Sequence, residues 1–163
     1  MSSLDENPNC EKTFASFRLL GDKLDPDAAT LVLTLEPTHA LAKGQSIPAG
    51  RIGKARVQPT GYWSLSTADV VASTSLERHL LYLLDALEPS TAAIHALSDS
   101  DDIKADFFCY WLSATGNGGP EVSPETLGRI ASLGASLGID FYGPYDDDAE
   151  PAQPASTADP EQD

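Results

Sequence analysis

From residue 106 to 112 the chain reads Asp-Phe-Phe-Cys-Tyr-Trp-Leu, apolar at almost every position. Alternation along a strand puts Phe107, Cys109 and Trp111 on one face and Phe108, Tyr110 and Leu112 on the other. A strand apolar on both faces is covered on both, so this run predicts a central strand. It stops at Gly116-Asn117-Gly118-Gly119, residues that tolerate the positive φ of a tight turn. The same period of two predicts a first strand over 13–20, with Ala15, Phe17 and Leu19 on one face and Phe14, Ser16, Arg18 and Leu20 on the other. It predicts another over 61–67, where Trp63 and Leu65 alternate with Tyr62 and Ser64, and a last one carrying Leu137, Ile139 and Phe141.

Helical signals appear four times. Asp25-Pro26-Asp27 supplies an N-cap, a first-turn proline and an acid at the positive end of a helix that runs to about Leu33. Thr74-Ser75-Leu76-Glu77 fits a capping box, and Leu76, Leu80, Leu83, Leu84 and Leu87 follow as one apolar stripe. Pro89 interrupts, and a short helix with Ile94 and Leu97 follows. Ser123-Pro124-Glu125 repeats the cap, proline and acid order before Leu127, Ile130, Ala131 and Leu133. Residues 38–43 predict a brief strand. Residues 44–60, punctuated by Gly44, Pro48, Gly50, Gly53 and Pro59, predict a long loop or loose hairpin. The elements amount to one α+β domain over 12–145, a mostly antiparallel sheet with helices packed on one face, in the manner of a ferredoxin-like fold.

Charge sharpens the boundaries. The net charge is −15, but residues 146–163 hold seven acids and no Lys or Arg, which leaves −8 for the rest. That tail, without an aromatic residue, is expected to be disordered and dispensable for folding. Residues 1–11 are expected to form a disordered leader. The opposite bias occurs in 43–56, where Lys43, Arg51, Lys54 and Arg56 stand without an acid. Overall acidity argues against a nucleic-acid partner, since phosphates would meet like charge. The first nine residues lack the apolar core of a signal peptide, and the longest apolar run, 80–84, is too short to cross a bilayer. A soluble, cytoplasmic protein is expected, with no membrane association.

Chemistry-bearing residues are scattered. Cys10 and Cys109 form neither a CxxC pair nor a zinc pattern, and Cys109 reads as a buried thiol. His39, His79 and His95 lie in separate elements, and no serine sits in a Gly-x-Ser-x-Gly elbow. The acids of 146–148 lack the spacing of a Ca²⁺ loop. No catalytic residue, metal site or cofactor is therefore expected. For binding, Arg18, Trp63, Trp111 and Asn117 stand out: two tryptophans on candidate strands, a charge on a partly polar strand face, and a Gly-rich turn with free N–H groups. Because the indole N–H wants a partner, the Trp111 face, with Trp63, is expected to be the open side of the sheet and Phe108 to lie in the core.

Several stretches carry a family resemblance. Phe17-Arg18-Leu19-Leu20-Gly21-Asp22 with Leu24-Asp25-Pro26 is followed by Leu35-Glu36-Pro37-Thr38 and Thr60-Gly61-Tyr62-Trp63-Ser64-Leu65. Then come Leu87-Glu88-Pro89, Cys109-Tyr110-Trp111 and Gly116-Asn117-Gly118-Gly119. Together, over about 14–142, they resemble the small bacterial proteins of the domain of unknown function 4279 family. The resemblance implies a compact α+β domain and no agreed activity. Two functions fit the sequence. One is a non-enzymatic protein-interaction module, immunity- or antitoxin-like, capping a basic partner. The other is a small-molecule-binding domain that uses the aromatic sheet face with 44–60 as a lid.

Overall fold

A computed structural model describes residues 6–144, so the leader's first five residues and the acidic tail read at 146–163 lie outside the described residues. Within that span the order is β1 (Cys10–Gly21), α1 (Pro26–Leu33), β2 (His39–Leu41), β3 (Ser46–Ile47), β4 (Arg56–Val57) and β5 (Gly61–Ser66). It continues as α2 (Leu76–Leu87), α3 (Thr91–Ser98), β6 (Lys104–Ser113), α4 (Pro124–Ser132) and β7 (Ser136–Tyr142). Five strands form one sheet in the order β2-β5-β1-β6-β7. Every neighbouring pair is antiparallel except β6 and β7, which run parallel across α4. The protein is a single α+β domain with a mostly antiparallel sheet.

Three sequence readings shift in this architecture. β1, not β6, occupies the middle of the sheet, flanked by β5 and β6. It begins at Cys10, inside the stretch read as leader, because Cys10 pairs with Ser113 across a register shift before Lys12. The connections also differ from a ferredoxin-like split β-α-β plan. The chain leaving β1 through α1 enters β2 at one edge of the sheet, β5 rather than β2 lies antiparallel beside β1, and the one parallel pair, β6 with β7, is at the other edge.

The helices lie on one face, and the register shows which. Leu19 opposes Trp63, Phe17 opposes Phe107, and Ala15 opposes Cys109. These six side chains and Trp111 are fully buried with Leu33, Leu80, Leu83, Leu84, Leu87 and Ile94 in one core. Phe17 meets Phe107 edge-on at 5.4 Å and Trp63 at 6.3 Å. The face expected to be open is therefore the covered one. Trp63 and Trp111 are core residues, and Phe108 is only half-buried on the other side. The reason is visible at α1: Thr30 Oγ1 accepts the Trp63 Nε1–H at 3.0 Å, so an indole can be buried here with its N–H satisfied.

Local signals explain the helix boundaries. Asp25 accepts hydrogen bonds from Asp27 N and Ala28 N, with Pro26 in the first turn. Ser123 caps α4 by accepting from Thr126 N. The capping box at α2 does not form. Ser75, not Thr74, is the N-cap residue, and Glu77 reaches across to α4. There its buried carboxylate accepts from Ser123 N at 3.2 Å, Ser123 Oγ at 2.7 Å and the Thr126 hydroxyl. Thr126 rather than Leu127 faces inward on α4, and Leu127 is 44 % exposed. Gly61 marks a close approach: a Cβ there would sit 2.5 Å from Leu24 O. Residues 44–60 hold β3 and β4 as a hairpin separate from the main sheet.

Candidate functional site

The uncovered face of the sheet is built by the residues alternating with that core. Register aligns His39, Ser64, Arg18, Asp106 and Ser136 as one row across all five strands. Arg18 is at its centre. Its Nε and Nη2 donate to the two Asp106 carboxylate oxygens at 2.8 and 2.7 Å, a bidentate pair in which both side chains are about one quarter exposed. That hydrogen bonding raises the Arg18 pKa further, against the opposing effect of burial, and keeps the guanidinium charged. The same guanidinium lies 4.8 Å from the centre of the Phe108 ring, a cation–π contact.

Beside this row runs an aromatic one. Phe14 and Tyr110, register partners on β1 and β6, stack at 5.0 Å with planes 11° apart. Tyr110 meets Tyr142 of β7 at 5.2 Å, and Tyr142 donates its hydroxyl hydrogen to Asp140. On the β5 side the surface dips into a shallow groove of about 290 Å³, walled by Phe14, Ser16, Arg18, His39, Tyr62 and Phe108. The face thus combines a fixed ion pair, stacked rings and a hydroxyl-lined depression. Stacked aromatics and a preorganised arginine are the side chains that carry energy in protein contacts, because they bury much area at little entropic cost.

Of the four residues singled out from sequence, this face contains Arg18 alone. Trp63 and Trp111 lie beneath the helices. Asn117 sits in the turn after β6, seven residues beyond Asp106 at Ser113 and so about 23 Å along the strand before the turn begins. Its carbonyl accepts from Ser113 Oγ and Thr115 Oγ1, with Gly116 and Gly118 at positive φ, so it shapes its own loop. Residues 44–60 contribute nothing to the groove's walls. Lys43, at the start of the basic segment, pairs with Asp22. The reading from sequence missed Phe14, Tyr62, Asp106, Phe108, Tyr110 and Tyr142. The available signal was the polar parity of Ser16 and Arg18 on β1 and of Ser64 and Ser66 on β5.

Other chemistry-bearing groups sit inside. Burial pushes the Cys109 thiol up to about 12 and the Cys10 thiol up to about 11, so both are protonated at neutral pH. His79 is buried against Thr67 Oγ1 and Ser73 O, and burial lowers its pKa. Among the described residues no group of three or more His, Cys, Asp or Glu side chains is placed to hold a metal ion, and no helix is long and apolar enough to cross a membrane.

The fold and this face define an α+β domain with one helix-covered and one open sheet surface. The chain belongs to the family described as Domain of unknown function (DUF4279), whose model matches residues 11–144. No curated protein matches it, and no solved structure does.

Proposed function

We propose that this is a non-enzymatic protein-interaction module whose contact surface is the open sheet face. The observation that carries the reading is the juxtaposition on that face of the Phe14–Tyr110–Tyr142 ring row with the Arg18–Asp106 pair. Rings held by stacking and an arginine held by two hydrogen bonds lose little freedom on association, which favours binding. The net charge of −15 favours a basic partner and fast, steered association, the behaviour of an immunity- or antitoxin-like cap. Two free, buried, protonated thiols suit a reducing compartment, in keeping with a cytoplasmic setting. The groove walled by Arg18, His39, Tyr62 and Phe108 supports a second reading, a small polar molecule bound on the same face.

Affinity capture from the native host, read by mass spectrometry, tests the first reading with two surface variants. Tyr110→Lys places a charge in the ring row. Tyr82→Lys places one on α2, where Tyr82 is 46 % exposed, and serves as control. A partner retained by wild type and Tyr82→Lys but lost by folded Tyr110→Lys supports the proposal. Equal capture by all three, or loss with Tyr82→Lys alone, defeats it.

A further inference from the structure

Strand β7 forms one edge of the sheet, and its outer side meets no other strand among the described residues. Register sets Leu137, Ile139 and Phe141 on the helix side, opposite Phe107, Cys109 and Trp111 of β6. Those three β6 side chains are fully buried, yet Ile139 is 44 % and Phe141 46 % exposed. The helix layer therefore stops short of this edge, although α4 packs along β7 and carries a further exposed apolar side chain, Leu127.

Native sheets blunt an edge by shortening the strand, breaking it with a bulge or a proline, or charging it with lysine. The opposite edge is blunt in this sense, since β2 has three residues. β7 has seven, with an unbroken register against β6, no proline, no lysine or arginine, and Asp140 as its single charge. Such an edge is a template for one more strand.

The residues of β7 identify that strand, because they complement one another. In an antiparallel pair with a twofold axis through Ile139, Ile139 faces its own copy, Leu137 faces Phe141, Gly138 faces Asp140 and Ser136 faces Tyr142. The whole strand is then paired, apolar side chains meet apolar ones, and each carboxylate lies opposite a glycine. An axis at Asp140 would set that carboxylate against its own copy. An axis at Gly138 would leave Phe141 and Tyr142 beyond the paired span. The axis through Ile139 is normal to the sheet and keeps both helix layers on one side, so α4 of each copy flanks the joined Ile139 and Phe141 side chains. A bare peptide strand would bring no such cover. We infer that the missing strand is β7 of a second copy, and that the protein forms a twofold dimer by pairing β7 edge to edge into one continuous sheet.

Analytical ultracentrifugation of the full chain tests this at about 0.5 M sodium chloride, where repulsion between two copies of net charge −15 is screened. A reversible monomer–dimer equilibrium is expected, and a chain still monomeric at about 1 mM overturns the inference. Gly138, where an added Cβ meets nothing within 4 Å, tests the register without disturbing the fold. Gly138→Lys sets an ammonium group opposite Asp140 of the other copy, at two symmetric places, and should tighten association about two- to thirtyfold. Gly138→Asp should weaken it about as much. Ile139→Cys, on the axis, should cross-link to its own copy under mild oxidation, since opposed Cα atoms lie about 4.5–5.5 Å apart. Phe141→Cys is displaced from its own copy by roughly 13 Å along the strand and should not cross-link. The native thiols, Cys10 and Cys109, are buried and do not compete. Equal association of the two Gly138 variants, or equal cross-linking of the two cysteine variants, overturns the inference.

Discussion

Replacing each of two adjacent phenylalanines by alanine separates the covered face of the sheet from the open one. Phe107 is fully buried, opposes Phe17 in register and meets that ring at 5.4 Å. Its truncation leaves a cavity in the buried core, and Phe→Ala in such a place costs about 3–5 kcal/mol. Phe108 is half-buried, packed under the Arg18 guanidinium. Its loss removes roughly half of the ~1.5–3 kcal/mol that full burial contributes, and about 0.5–1 kcal/mol of cation–π attraction. The expected cost is therefore about 1.3–2.5 kcal/mol, roughly half that of Phe107→Ala. Urea denaturation followed by tryptophan fluorescence measures both, since Trp63 and Trp111 report from the covered core. In thermal melts the gap corresponds to about 2–4 °C per kcal/mol for a chain near this size. An equal or larger loss from Phe108→Ala would refute the assignment of faces.

Glu77→Ala leaves Ser123 and Thr126 without their buried acceptor and should cost about 1–3 kcal/mol, with Glu77→Gln milder; the urea midpoints of the two variants check this. Burial holds the folded-state pKa of His79 below its ordinary 6.5, so the unfolded chain binds the proton more readily and stability falls as pH drops through about 6.5. The loss of stability as pH falls below about 6.5 should be smaller in His79→Gln, as read from melting temperatures at a series of pH values. Gly61→Ala forces a Cβ to within 2.5 Å of Leu24 O and should lower the urea midpoint more than Gly128→Ala, where a Cβ meets nothing within 4 Å.

Much of the fold is legible because its signals are local. Asp25-Pro26 and Ser123-Pro124 start helices with their own side chains, and the Leu76–Leu87 stripe finds its core at helical spacing. Alternation also sorts β1, β5 and β6 into two faces. It does not reveal which face the helices take, and there the indole argument pointed the wrong way: Thr30, thirty-three residues from Trp63, satisfies the N–H from another element. Ser16, Arg18, Ser64 and Ser66 carried the better clue, since polar side chains repeated on one parity mark the solvated side. Glu77 shows the same limit. Its spacing from Thr74 suits a capping box, yet the orphan donors at the start of α4 hold the carboxylate instead. The parallel pairing of β7 with β6 likewise depends on where α4 packs rather than on any residue in either strand. Arg18 was visible as a charge on a strand, but Asp106 became its partner only through the β1–β6 register.

Hydroxyl-radical footprinting of the free protein and of its complex with the partner captured by wild-type bait tests the open-face account most directly. Tyr62, Phe108, Tyr110 and Tyr142 report from the open face, and Tyr82 from α2. The account predicts that the open-face rings are oxidised in the free protein and protected in the complex, while Tyr82 is modified equally in both. Protection of Tyr82 with undiminished oxidation of Tyr110 and Tyr142 would contradict it and move the contact surface to the helices.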